Sequence, residues 1–299
     1  MSLAFVVSTG RCGSALLSQL LQEHPDILSI SELFGYVSIK DRLAGRLNGE
    51  DFWRRLADPV PFIDALARDG LAPPEFRYPY ATGRFSPETG VPFISHVTLP
   101  MLTDDPDRLY FWLASIVPSW PDRPVADHYR HLFALLSGRF GGSVIVERTG
   151  GSIRSVAHLR RAFPEARFVY LSRDGMDCAL SLRKHDETRG IPLASFGEFW
   201  STMTVAGAAE LAEVPLDRWI GLRYEHLLDD PTASLRLLAR FLGVASPPEW
   251  LSSAAGQVKP ARIGTSAMLN PEDFAALRAA CAPGYAADEA LHAQHSSHG

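Results

Sequence analysis

Gly10, Arg11, Cys12, Gly13 and Ser14 follow the apolar run Phe5-Val6-Val7 and lead into Ala15-Leu16-Leu17, a small-residue turn between a strand and an amphipathic helix. Such a turn brings consecutive main-chain N–H groups and the positive end of a helix dipole to one point, where phosphate or sulfate binds. A nucleoside triphosphatase loop would place Lys and then Ser or Thr after its last glycine, for the distal phosphates and for magnesium. Here Ser14 follows Gly13 directly, and the turn's cation is Arg11. Farther along, Arg173 closes an apolar run and Ser181 stands eight residues later, a pair able to grip a second phosphate. One acid, Glu32, follows a further apolar run and so stands at a strand end beside these cations.

These side chains need a scaffold that collects them, and the hydrophobic periodicity supplies one. Strands are predicted over residues 3–8, 27–30, 143–146, 168–171 and 219–224, with helices over 14–23, 152–163, from 174 through 182 or beyond, and 232–242. Asp174 reads as a helix N-cap, with Asp177 in the first turn. Strands alternating with helices argue for an α/β fold, a three-layer sandwich around a central parallel sheet. Ligands of such sheets sit beyond the carboxyl ends of the strands. There the sequence places the loop 9–15, Glu32, Glu147 with Arg148, and Arg173. The frame therefore spans 1–34 and 143–260, and 35–142 is an irregular, mostly helical or loop insertion on the acceptor side. About half of the 22 prolines fall in that insertion, interleaved with Trp53, Phe62, Phe76, Tyr78, Tyr80, Phe85 and Phe93. It either packs its aromatics on the frame or serves as an acceptor-binding lid, and both can hold. A helical segment over about 265–299 ends in a tail with His292, His295 and His298, read as a frayed terminus without a metal role.

Composition excludes several functions. With 299 residues and 46% hydrophobic content the chain can bury a large core. A formal net charge of −5 argues against nucleic-acid binding by general electrostatics. Cys12, Cys178 and Cys281 are far apart, odd in number and without metal-site spacing, which predicts a reducing compartment, no disulfide framework and no zinc. A strand beginning at residue 3 and the lack of any membrane-length apolar run lead to the expectation of a cytoplasmic protein with no membrane partner. His128 and His131, one turn apart on a helix, read as surface or core histidines. Cys12 reads as structural, since no arginine follows at the spacing of a cysteine phosphatase loop.

Taken together, Thr9-Gly10-Arg11-Cys12-Gly13-Ser14-Ala15-Leu16-Leu17 resembles the 5'-phosphosulfate loop of sulfotransferases that use 3'-phosphoadenosine 5'-phosphosulfate (PAPS). Arg173-Asp174-Gly175-Met176-Asp177-Cys178-Ala179-Leu180-Ser181 is similar to that family's 3'-phosphate element, and Tyr224-Glu225-His226 to the segment whose tyrosine contacts adenine. The resemblance implies one sulfotransferase domain over 1–299. It implies a PAPS site made by Arg11, Cys12, Gly13, Ser14, Ala15, Arg173, Ser181 and Tyr224, with Arg262 as a loose counterpart of a further phosphate contact. No metal is implied. Family members carry Lys or paired Thr where this chain has Arg11, Ser14 and Ala15; Arg11 can neutralise the bridging oxygen, but Ala15 removes a hydroxyl contact. Glu32 stands where the protein-tyrosine and related bacterial branches carry a catalytic glutamate, and His96 is its rival, since the cytosolic branch uses histidine. The expected reaction is sulfuryl transfer to a hydroxyl of a small-molecule acceptor, with Arg11 assisting the leaving phosphate. A nucleotide-dependent kinase and a non-catalytic nucleotide-binding module are the alternatives.

Overall fold

The computed structural model describes residues 2–35, 38–185, 190–259 and 263–296. Its centre is a five-stranded parallel sheet made of β1 (Ser2–Val7), β2 (Ile27–Ser31), β3 (Val144–Arg148), β4 (Arg167–Ser172) and β5 (Trp219–Arg223), in the order β2-β3-β1-β4-β5. Alternate residues of β1 serve opposite faces. Leu3, Phe5 and Val7 join Ile30, Ile145, Phe168 and Trp219 in one core, while Ala4 and Val6 join Val146, Val169 and Leu171 in the other. Burial on both sides explains why these strands read as unbroken apolar runs.

Five helices recur below: α1 (Ser14–Gln22), α2 (Val125–Phe140), α3 (Gly175–His185), α4 (Leu193–Leu211) and α5 (Pro271–Ser296). Leu17, Leu20 and Leu21 of α1 enter the same core as α3 and Pro231–Leu242. The opposite face is covered by Val156–Ala162 and by the insertion, which is largely helical and includes α2. Its aromatics pack together: Phe52 stacks on His128 at 4.6 Å, Tyr78 meets Tyr80 at 5.5 Å and Phe85 meets Tyr110 at 4.9 Å. A two-residue antiparallel pair, Arg46–Leu47 with Arg123–Pro124, ties the insertion's two ends.

Three local expectations change. Residues 152–155 form a 3₁₀ turn before the helix Val156–Ala162. Tyr224 opens the helix Tyr224–Asp229 instead of ending β5. The terminus is not frayed at His292: α5 continues to Ser296, and the His292 ring lies 2.8 Å from the Ser172 hydroxyl at the end of β4. Asp288, one turn earlier on α5, accepts from Tyr170 and pairs with Arg223 at 3.0 Å, so polar contacts pin this helix to the sheet. His298 lies outside the described residues. Among them, no helix is long and apolar enough to cross a membrane.

Candidate active site

In this strand order the connection from β1 runs to one side of the sheet and that from β4 to the other, which opens a crevice between their carboxyl ends. The anion loop and the β4–α3 turn meet there. Gly10 and Gly13 take positive φ angles of 87° and 83°, so the chain reverses tightly into α1. Gly13 is the N-cap of α1 and offers no capping side chain. The main-chain N–H groups of Cys12, Ser14 and Ala15 have no acceptor among the described residues, the arrangement an anion would complete.

The cations around the loop are held in place by protein groups. Arg11 Nε donates to Ser181 Oγ at 3.1 Å, and Arg173 Nη1 donates to the Arg11 carbonyl at 3.2 Å. The Arg173 guanidinium lies 5.0 Å from the centre of the Tyr224 ring and 3.7 Å from a carboxylate oxygen of buried Asp177. Tyr224 in turn packs on Gly13, where a β-carbon would come within 2.2 Å of its ring. Arg11, Gly13, Arg173, Ser181 and Tyr224, scattered over more than two hundred residues, thus form one contact chain. Asp174 caps α3 by accepting from Asp177 N–H at 2.8 Å. Asp177 also receives Gly264 N–H and the Thr265 N–H and hydroxyl, which docks the segment following Arg262; Arg262 itself lies outside the described residues.

On the other side of the loop, Glu32 directly follows β2 with a φ of 55°. Its N–H donates to the Arg148 carbonyl at 2.7 Å, and its carboxylate receives Arg148 Nη1 at 2.5 Å and Gly150 N–H at 3.1 Å. Gly35 leaves the space the carboxylate needs, since a β-carbon there would stand 2.6 Å from Glu32 Oε2. Burial pushes the Glu32 carboxyl above its ordinary value, while Arg148 opposes that shift. Among the described residues, Arg11 and Glu32 are the non-glycine residues with positive φ. Each carries about 1–2 kcal/mol of backbone strain. Gly10, Arg11, Ser14, Glu32, Arg148 and Gly150 line a common cleft of about 400 Å³.

His96 is not brought to this cleft. It is 2% exposed, its Nδ1 pairs with the Tyr80 hydroxyl at 2.9 Å, and its Nε2 lies 3.3 Å from Asp64 outside hydrogen-bonding geometry. Burial lowers its pKa to about 4. The short helix Phe93–His96 packs it inward among the aromatics of the insertion, and it is not among the residues that line the cleft.

Sequence reasoning missed two features. Glu75, from the insertion, lies 3.7 Å from Arg11 and lines the cleft together with Pro73; an irregular proline-rich loop gives no register from which to place it. Cys12 and Cys178, far apart in sequence, have sulfur atoms 3.7 Å apart, and all three cysteines are free. The Cys178 thiol holds Cys12 below its ordinary pKa, while burial raises Cys178 well above it. Of the paired histidines, His128 is buried and bonded to the Leu47 carbonyl at 2.7 Å, and His131 meets Arg123 at the surface.

A family model described as the sulfotransferase family matches residues 102–248, a stretch that includes Arg148, Arg173, Ser181 and Tyr224. Among solved structures, the chain is similar to the sulfotransferase domain from the Synechococcus PCC 7002 olefin synthase, at 19% identity over 97% of this chain and 94% of that one, with a TM-score of 0.52. The sulfotransferase domain from the curacin biosynthetic pathway matches at 12% identity over 93% of this chain and 97% of that one, with a TM-score of 0.51. A sulfotransferase from Mycobacterium tuberculosis H37Rv matches at 16% identity over 94% of this chain and 76% of that one, with a TM-score of 0.50. At these identities the structural likeness speaks to the fold.

Proposed function

We propose that the chain is a sulfotransferase, the family whose model matches residues 102–248, and that it transfers a sulfuryl group from PAPS to a hydroxyl of a small-molecule acceptor, leaving 3',5'-adenosine diphosphate. The observation that carries this reading is the pair of strained residues. Arg11 and Glu32 hold left-handed backbone on two separate strand ends and face one cleft. Strain of this kind persists where the side chain is needed at that place.

The donor's 5'-phosphosulfate fits the unpaired N–H groups at the start of α1, and its 3'-phosphate fits the Arg173 and Ser181 side. Tyr224, stacked on Arg173, offers a ring face for the base. Sulfuryl transfer, like phosphoryl transfer, relies mainly on positioning and electrostatics, with the leaving group largely departed at the transition state. In this role Arg11 and the loop N–H groups take up charge on the leaving phosphate. Glu32 receives the acceptor's proton, and its raised pKa gives it the basicity for that task. Arg148 and Gly150 N–H fix which way its carboxylate points. No step calls for a metal, and the location we assign is the cytoplasm.

A thermal-shift comparison tests the donor. 3',5'-Adenosine diphosphate should raise the melting temperature without magnesium, while ATP with magnesium should have little effect; the reverse pattern would favour a kinase. Transfer of labelled sulfuryl from PAPS to a panel of phenols and alcohols then distinguishes an enzyme from a binding module.

A further inference from the structure

The donor contacts fall on the β1, β4 and β5 side of the sheet, so in-line transfer requires the acceptor to approach from the side of β2 and β3. That side holds a second cavity of about 350 Å³, which begins at Gly150, the residue that also lines the Glu32 cleft. Gly150, in the wall of both, and Gly151, in the wall of the second, make the ridge between them, and neither carries a side chain. The cavity continues through Lys40 and His158 into a third, of about 470 Å³, that reaches Arg161.

The charge along this trough is all of one sign. Lys40, Arg154, His158 and Arg161 line it, and among the described residues neither cavity has an aspartate or glutamate in its wall. Among the described residues, none of the four forms an ion pair with a carboxylate within 4.0 Å. Arg161 and His158 Nδ1 lie 2.9 Å apart. Glu210, a carboxylate of the neighbouring helix α4, caps the Ala157 N–H at 2.9 Å. In a chain with a net charge of −5, a groove with cations and no acid is a selective surface. No basic run announces it, because Lys40 comes from the insertion and the other three from the turn and helix after β3.

We propose that the acceptor carries an anionic group, a phosphate or a carboxylate, at the end remote from its hydroxyl. The hydroxyl lies at Glu32, the chain crosses the Gly150–Gly151 ridge, and the anion is held by Arg154 and Lys40, with His158 and Arg161 beyond for longer acceptors. This assignment rests on the sulfuryl-transfer reading for the hydroxyl end only.

The test uses the full chain, PAPS and three series of matched length: ω-hydroxyalkyl phosphates, ω-hydroxyalkanoates and neutral α,ω-diols. Both anionic series should exceed the diols in kcat/KM, and Arg154→Ala or Lys40→Ala should cut that preference by about tenfold. Of the two, the series with the larger loss identifies the anion. Affinity for 3',5'-adenosine diphosphate should not change in these variants. Equal kcat/KM for diols and anions, or a preference unmoved by either substitution, overturns the assignment. Calorimetry with a hydroxyalkyl phosphate and no donor separates the two readings. If no acceptor is sulfated but binding is present and lost in Arg154→Ala, the trough stands and the reaction falls. If diols are sulfated and the phosphate binds no more tightly than a diol, the trough alone falls.

Discussion

Gly13→Ala tests whether the anion loop and the aromatic platform are one unit. Gly13 has a φ of 83°, a conformation that costs a residue with a β-carbon about 1–2 kcal/mol. An added β-carbon would lie 2.2 Å from Tyr224 Cδ2 and 2.3 Å from Cε2, so the ring must move. Tyr224 is buried, and overpacking at such a site costs about 1–3 kcal/mol. The expected loss is therefore about 2–5 kcal/mol, read as a lower urea midpoint. The two contributions can be separated by a double-mutant cycle with Tyr224→Ala. Removing the ring abolishes the steric part and leaves the backbone part, so the two substitutions should couple by about 1–3 kcal/mol. Calorimetry with 3',5'-adenosine diphosphate supplies the functional arm: a displaced Tyr224 loses its place over Arg173, and affinity should fall about tenfold or more. Strictly additive stability losses, together with unchanged nucleotide affinity, would refute the claim that Gly13 is glycine because Tyr224 must lie against it.

Three further outcomes follow from the same geometry. Glu32→Gln preserves the shape of the side chain but not its basicity, so turnover should fall about 10²- to 10⁴-fold with donor affinity nearly unchanged; steady-state kinetics with wild-type turnover would remove Glu32 as the base. Arg173→Ala should weaken binding of 3',5'-adenosine diphosphate about tenfold or more, since it deletes a charged contact of about 1.5–3 kcal/mol; equal affinity by calorimetry would reject the assignment. Glu147 is buried, and desolvation raises its pKa from 4.5 to about 8. The folded state thus binds this proton more tightly than the unfolded chain, and the resulting stability is full below the unfolded pKa and lost as pH climbs through the folded one. Urea midpoints should fall between about pH 5 and pH 8 by an amount worth up to roughly 5 kcal/mol, and Glu147→Gln should flatten that slope; a wild-type slope in the variant would show that another group carries it.

The frame was legible because parallel strands buried on both faces leave apolar runs, and every strand of the central sheet lies within two residues of its predicted bounds. Position at strand ends then brought Arg11, Glu32 and Arg173 near one another, as the geometry of such sheets requires. His96 failed as a candidate for the same reason: it lies outside that frame, and no periodicity indicated that Phe93–His96 would turn it into a packed aromatic cluster. The His292 tail was misread because histidine and small polar residues near a terminus resemble a frayed end. The spacing of Asp288 and His292, one helical turn apart, was the signal that α5 continues and docks on β4. Glu75 and the basic trough depend on how the insertion folds over the sheet, a tertiary outcome with no local pattern.

The sheet order gives the site its division of labour. β1, β4 and β5 lead into the groups suited to a nucleotide, and β2 and β3 into the cations of the trough, so on the proposed reading the two substrates would approach from opposite halves of one edge. In that proposal a reacting oxygen between them needs a base reachable from both sides. Glu32, the base proposed, is held there at a cost: a left-handed turn, a buried carboxylate and an arginine committed to holding it. If turn geometry were the only demand, glycine or asparagine at position 32 would relieve the strain. The same holds for Arg11, whose guanidinium spans the gap between Ser181 and Glu75. Two charged residues kept where the backbone disfavours both, on strand ends that flank the Arg148 strand, indicate that their side chains and not their turns shape this edge of the sheet.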